Sequence, residues 1–100
     1  MIGQELIGKY VIVRSNESGV AAGILENIED NKLILRNSRR IWYWRGSASL
    51  SQLAAFGTIT PKECRFPINV SRVVIFNAFE IIECSELGEK SINEVPVWLV

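Results

Sequence analysis

The stretch Arg39-Arg40-Ile41-Trp42-Tyr43-Trp44-Arg45-Gly46-Ser47-Ala48-Ser49 concentrates the groups best suited to hold an anion beside a flat ring. It contains two of the three tryptophans, one of the two tyrosines and three arginines. Aromatic faces stack on nucleobases, and a guanidinium forks phosphate oxygens. In an extended strand, alternate residues face opposite sides, so Arg40, Trp42 and Trp44 share one face while Arg39, Ile41, Tyr43 and Arg45 share the other. Each face then sets arginine beside aromatic rings. The strand feeds a turn and a helix start, where free N–H groups and the helix dipole favour an anion. The candidate ligand contacts are Arg39, Arg40, Trp42, Trp44, Arg45, Ser47 and Ser49. Arg65, in Lys62-Glu63-Cys64-Arg65, supplies a second basic point able to reach the same pocket or that of a neighbouring subunit. The same residues also suit plain packing. Tryptophans in a short chain usually fill the core with one edge wet, and arginines beside them stack or pair with carboxylates such as Glu26, Glu29 or Asp30. Interleaved aromatics and arginines mark protein interfaces as well.

Other chemistries find little support. Histidine is absent, so a Ser-His-Asp arrangement is unavailable within one chain. Two cysteines without histidine make a poor zinc site, and no metal is expected. Gly46-Ser47-Ala48-Ser49 lacks the spacing of a phosphate-binding P-loop. Cys64 lies near Lys62 and Arg65 but has no base beside it, and Cys64 and Cys84 both read as free buried thiols. The carboxylates are scattered, with no pair set for acid–base work. The chain therefore reads as a binding protein without a cofactor rather than an enzyme. Eleven basic and eleven acidic side chains cancel. A neutral chain argues against general nucleic-acid binding but leaves room for a compact cluster of arginines.

The elements that must position these groups follow from hydrophobic periodicity and turn chemistry. One hundred residues suit one domain, and a 48% hydrophobic fraction suffices for a core. That apolar content exceeds what a small monomer hides comfortably, which points to a homo-oligomer. The opening Met1-Ile2-Gly3-Gln4 is no signal peptide, and no run approaches the roughly 20 apolar residues of a membrane span, so a cytoplasmic protein is expected. Strands are predicted at Lys9 to Arg14, Val20 to Glu29, Lys32 to Arg36 and, after a break at Asn37-Ser38, Arg39 to Trp44. The small centre Ala21-Ala22-Gly23 implies a bend, a bulge or a close backbone approach. Ser47 to Gly57 reads as a short helix with Ser47 or Ser49 as cap, Gly57 just past its end, and Leu50, Leu53 and Ala54 facing inward. Two further strands, Asn69 to Phe76 and Phe79 to Cys84, flank a kink at Asn77-Ala78. Ser85 to Glu94 is polar with weak helical spacing. Val95 to Val100 suits a short edge strand, because Pro96 lacks an N–H. The whole predicts an α+β fold: a strongly bent antiparallel sheet or small open β-barrel with one or two short helices.

Over Arg39 to Ala54 the chain resembles a small-domain family of phages and prophages of unknown function. Its pattern is two arginines, a Trp-Tyr-Trp run, glycine, a small residue and Ser-Leu-x-x-Leu-Ala. The resemblance continues through Cys64-Arg65-Phe66, Phe79-Glu80-Ile81-Ile82-Glu83-Cys84 and Val95-Pro96-Val97-Trp98. It implies an immune-evasion protein of the host cytoplasm. Compact phage proteins of similar size sequester nucleotide second messengers of the Thoeris and CBASS systems, such as cyclic ADP-ribose isomers or cyclic oligonucleotides. They do so without cleaving them, and as oligomers. At the matching positions it implies ligand contacts by Arg39, Arg40, Trp42, Trp44, Ser47 and Ser49, although Ser47 stands where the family carries alanine. A second likeness competes. Gly8-Lys9-Tyr10-Val11-Ile12-Val13, Gly23-Ile24-Leu25 and Lys32-Leu33-Ile34-Leu35-Arg36 are similar to the bent sheet of Sm-like proteins, which implies an RNA-binding small barrel. A third reading is an inhibitor module docking on a protein through Trp42, Tyr43 and Trp44.

Overall fold

The computed structural model describes residues 2–100; Met1, the first residue of the N-terminal segment read above, lies outside the described residues. After a short 3-10 turn at Gln4–Leu6 come strands β1 (Tyr10–Ser15), β2 (Gly19–Glu29) and β3 (Lys32–Arg40). Helix α1 (Leu50–Phe56), strands β4 (Val70–Ile75) and β5 (Ala78–Glu83), and helix α2 (Glu86–Glu94) follow. The sheet is antiparallel throughout, in the order β4-β3-β2-β1-β5. β4 and β5 stand at opposite ends of that order, yet only Phe76 and Asn77 join them. So short a link closes only if the sheet curls until its two ends approach, which makes an open barrel. Asn77 turns the corner with φ at 57°, Ala78 N–H donates to Asn31 O at 2.9 Å, and Ser15 Oγ donates to Phe76 O at 2.9 Å. The expected fold class is the one observed.

Bulges bend the strands where small residues allow it. Between the pairs Ile24↔Arg36 and Ala22↔Arg39, β2 contributes one residue and β3 two. Asn37, in the left-handed region at φ 49°, takes up the extra length, as asparagine can. Opposite it, a Cβ on Gly23 would lie 2.9 Å from Arg36 O and 3.1 Å from Ser38 Cα. The small centre of β2 is therefore both a bulge site and a close approach. The same geometry corrects the expected break at Asn37-Ser38. The extra residue is absorbed inside one continuous strand that runs to Arg40, and the separate strand Arg39 to Trp44 does not form. Beyond Arg40 the chain keeps only an isolated antiparallel bridge, Tyr43 with Arg65.

Alternation along β1 then builds two cores, one on each face of the sheet. Val11 and Val13 join Ala21, Leu25, Leu33, Leu35 and Ile75 inside the bend. Tyr10 and Ile12 join Ala22, Ile41, Leu53, Ala54, Phe66, Ile92 and Val95 under the helices. α1 is shorter than the expected Ser47 to Gly57, and of the two expected caps Ser49 is the one used: its Oγ accepts from Gln52 N–H at 3.1 Å, and Gly57 closes the helix at φ 79°. The weakly periodic stretch 85–94 is a helix because Ser85 Oγ accepts from Gly88 N–H at 3.0 Å and two buried residues, Gly88 and Ile92, suffice to seat it on α1. Val95 to Val100 is no strand. It contributes one parallel bridge, Phe66 with Val97.

One buried arginine joins these parts. Arg39 is 1% exposed, and its guanidinium donates to five main-chain carbonyls. Nε reaches Pro67 O at 3.0 Å; Nη1 reaches Ile92 O at 2.9 Å and Val95 O at 2.8 Å; Nη2 reaches Phe66 O at 2.8 Å and Pro96 O at 3.5 Å. That uses all five donors of the group. Ile92 O belongs to the last turn of α2, where unpaired carbonyls and the helix dipole favour a cation. The guanidinium carbon also lies 5.5 Å from the centre of the Phe66 ring. Burial pulls the Arg39 pKa below its ordinary value, opposed by the charge of Tyr10.

Two stability measurements check this frame. Alanine in a helix is normally worth about 0.5–1 kcal/mol more than glycine. A Cβ on Gly88, however, would press into the Ala54 carbonyl oxygen across the α1–α2 contact. Gly88→Ala should therefore reverse the usual sign and cost about 1–3 kcal/mol in urea unfolding; a gain in stability contradicts the contact. Arg39→Met leaves the five carbonyls without their donor and should cost about 3 kcal/mol or more. Arg39→Lys should recover little, since an ammonium offers three donors and no planar fork. An unchanged urea midpoint for either Arg39 variant would show that the carbonyl cage does not hold the fold.

Candidate functional site

The expected site segment divides into a buried part, an occupied part and an open part. Arg39, anticipated as a ligand contact, has its guanidinium consumed by carbonyls and cannot reach a ligand. The reason is the pairing of Arg39 with Ala22, which turns its side chain toward the core under the helices. Trp44 is half-buried and packs on that core. It shares a surface cavity with Arg14, Ser49 and Glu80, away from the rest of the expected pocket. Ser49 is the cap of α1, and Ser47 Oγ donates to Ser49 O at 3.2 Å. The helix start is thus partly occupied by its own side chains, with Ala48 N–H also donating to Gln52 Oε1 at 3.1 Å. Arg45 lies 3.9 Å from the Glu63 carboxylate. Arg40 is exposed and donates to Ser18 O at 2.6 Å.

Trp42 and Arg65 do come together, with Trp98, which was not among the expected ligand contacts. The Trp42 ring stacks on Trp98, centroids 5.0 Å apart and planes 13° from parallel. The Arg65 guanidinium carbon lies 5.7 Å from the centres of both rings and 5.8 Å from Tyr43. Trp42 is 61% exposed and Tyr43 41%. Trp98 stacks on Trp42, which still keeps more than half of its surface in solvent. Charge–quadrupole attraction holds the cation against the rings. None of the ion pairs among the described residues uses Arg65, so its charge is not cancelled locally.

Main-chain hydrogen bonds hold this platform in place. Arg65 N–H donates to Tyr43 O at 2.7 Å, and Tyr43 N–H to Arg65 O at 3.3 Å. Trp98 N–H donates to Phe66 O at 3.0 Å. Three segments distant in sequence, 41–44, 64–67 and 96–98, therefore lie side by side. Below them the Arg45–Gly46 corner is pinned by Thr58, whose hydroxyl bonds Arg45 O, and by the buried Cys64 thiol 3.5 Å from the same carbonyl. Gly46, at φ 79°, leaves no room for a Cβ against Thr60. The only hint of Trp98 in the sequence is a third tryptophan in a terminal Pro-x-Trp, with nothing local to connect it to Trp42.

Elsewhere, burial pushes the Cys84 thiol up to about 12, helped by Glu89 and Glu83, so it stays protonated. Burial likewise raises Tyr10, whose hydroxyl has no hydrogen-bond partner among the described residues. No cluster of three potential metal ligands occurs among the described residues, and no helix is long and apolar enough to cross a membrane.

Comparisons place the fold and the family. No curated protein matches the chain. Among solved structures, the crystal structure of a heptameric archaeal Sm protein superposes with a TM-score of 0.54. Its sequence is 19% identical over 82% of this chain and 94% of that one. At that identity the likeness concerns the fold: the bent five-stranded sheet is that of an Sm-like small barrel. A family described as "Domain of unknown function (DUF6948)" matches residues 8–92, most of the chain, and the protein belongs to that family.

Proposed function

We propose that the protein is a homo-oligomeric small-barrel module that binds single-stranded RNA by stacking a base on Trp42 beside Arg65. The observation that carries this reading is a stacked indole pair at the surface with an uncompensated cation 5.7 Å from both rings. A folded chain ordinarily covers most of a tryptophan, so an indole 61% exposed at the end of a rigid stack suits a planar partner. Base–aromatic stacking contributes about 1–3 kcal/mol per base, and it tolerates any sequence because every base has a π-face. Arg65 adds attraction for the ring and for phosphate.

Oligomerisation suits the same reading. β4 and β5 each pair on one side only, leaving two rows of main-chain donors and acceptors open. Val70, Val74 and Phe79 are exposed on these strands. Joining the β4 edge of one copy to the β5 edge of the next would satisfy both rows and cover apolar surface. The Sm-like fold neighbour is itself heptameric, which supports such an assembly. Repetition of one platform per subunit turns weak single contacts into avid binding along a strand.

A second reading rests on the same residues: sequestration of a phosphorylated nucleotide messenger, such as a cyclic ADP-ribose isomer or cyclic oligonucleotide, by a phage-type protein in a host cytoplasm. It is favoured by the size of the platform, one indole pair and one arginine, which suits a single base. No bond of the ligand is broken in either reading.

Tryptophan fluorescence and native mass spectrometry test both parts. A short single-stranded RNA at low salt should quench the emission, and Trp42→Ala should weaken binding about tenfold, the equivalent of some 1.4 kcal/mol of stacking. If RNA does not bind but cyclic nucleotides do, with the same dependence on Trp42, the messenger reading replaces the RNA reading. Absence of binding by either class overturns the platform assignment. The native mass should be a multiple of 11.3 kDa, and a monomer at all concentrations removes the edge-to-edge assembly.

A further inference from the structure

Beside the aromatic platform lies a cavity of about 300 Å³, lined by Ser38, Arg40, Ile68, Val70, Arg72 and Val73. Its place follows from the main chain. The isolated Tyr43–Arg65 bridge sets the segments holding those two residues side by side, and the Arg39 side chain reaches from the end of β3 to Pro67 O, next to Ile68. Arg40 is two residues from Trp42, so their Cα atoms lie at most about 7 Å apart. That distance is within the reach of one nucleotide.

The charges around the cavity do not cancel. Arg72 Nη2 lies 2.6 Å from Glu26, and Arg36 Nε lies 3.6 Å from the same carboxylate. One acid thus serves two arginines, while Arg40 bonds only a carbonyl oxygen, that of Ser18. Three arginines against one glutamate leave a local charge of +2 on a chain whose total charge is zero. By contrast, Lys9, Arg14, Lys32 and Arg45 each have a carboxylate partner. Ser38, 3% exposed, also lines the cavity. Two guanidinium groups and a hydroxyl around a small concave space suit a phosphoryl oxyanion better than any uncharged group.

We infer that this cavity is a phosphate subsite, and that it holds a phosphate of the nucleotide whose base stacks on Trp42. The inference rests on the stacking reading above. In it Arg72 shifts part of its bonding from Glu26 to the phosphate, Arg40 leaves the Ser18 carbonyl, and Ser38 Oγ donates to a phosphoryl oxygen.

The test compares a nucleoside, its 5′-monophosphate and inorganic phosphate on the wild-type chain, on Arg40→Met/Arg72→Met and on Trp42→Ala. Both arginines are exposed, so the double variant should keep the wild-type unfolding midpoint, and Arg40→Met alone provides a milder check. The wild type should bind the monophosphate about tenfold more tightly than the nucleoside, the effect of one or two charge-assisted hydrogen bonds. The double variant should bind both equally, with nucleoside affinity unchanged, whereas Trp42→Ala should weaken both. On a short single-stranded RNA, the slope of log K against log salt should become shallower in the double variant, by about 0.7 for each phosphate it no longer neutralises. If the nucleoside binds but the monophosphate gains nothing, or the gain survives in the double variant, the subsite is refuted while stacking stands. If neither nucleoside nor monophosphate binds, the stacking reading itself fails. Inorganic phosphate bound without any nucleoside would overturn the joint site, because the cavity would then serve a free anion.

Discussion

The guanidinium of Arg39 is the contact on which most of the molecule's outer layer depends. A cation buried without a carboxylate survives only if dipoles replace the water that solvated it. Here five carbonyls do so, and they come from residues 66–67 and from 92–96, the last turn of α2 and the residues just after it. The sheet contributes the arginine, and two stretches distant from it in sequence contribute its ligands. All three lie near a group of the aromatic platform: Trp42 is three residues beyond Arg39, Arg65 precedes Phe66, and Trp98 is two residues beyond Pro96. A buried residue thus sets the spacing of the exposed platform. This is the usual division between the groups that make contact and the packed groups that orient them.

The barrel itself rests on a few backbone features rather than on large side chains. Gly23 lets β3 approach, Asn37 absorbs the extra residue, and the two-residue link at Phe76-Asn77 forces the sheet to curl. Curling places the inside core, Val11, Val13, Leu25, Leu33 and Leu35, in a closed environment. It also exposes the opposite face of β1 to the helices. Both faces of β1 are then buried, and that explains why its sequence, Tyr10-Val11-Ile12-Val13, is apolar without alternation.

The distribution of charge matters more than its sum. A zero total argues against nucleic-acid binding only if the charges are evenly mixed, and they are not. Ion pairs cover most cations on the strands and turns, whereas Arg40 and Arg65 near the platform have none among the described residues. Of the six acidic residues that no ion pair among the described residues uses, three, Glu86, Glu89 and Glu94, lie on α2, and the others are Glu5, Glu17 and Asp30. Neutrality of the whole chain therefore coexists with a local positive field, and local potential rather than net charge steers an anion to a cleft.

Local chemistry determined much of this protein from its sequence alone. Strand positions followed from β-branched runs, the close approach at Gly23 from a small-residue centre, and the start and end of α1 from Ser49 and Gly57. These features depend on neighbours a few residues away, where periodicity and capping act. The concentration of arginine and tryptophan at 39–45 was equally legible. Which of those side chains turn inward was not. Arg39 and Ile41 are buried while Arg40 and Trp42 are exposed, on opposite faces as alternation requires, but alternation does not say which face meets the core, and past Arg40, where the strand ends, it no longer governs the side chains. Trp98 entered the site, and Arg39 left it, through contacts with residues more than fifty positions away, as in the bond from Arg39 to Ile92. Long-range contacts of that kind are made by packing, because a buried cation must find carbonyls wherever the fold supplies them. Only the tertiary structure could decide which carbonyls those were, and hence which rings were left facing solvent.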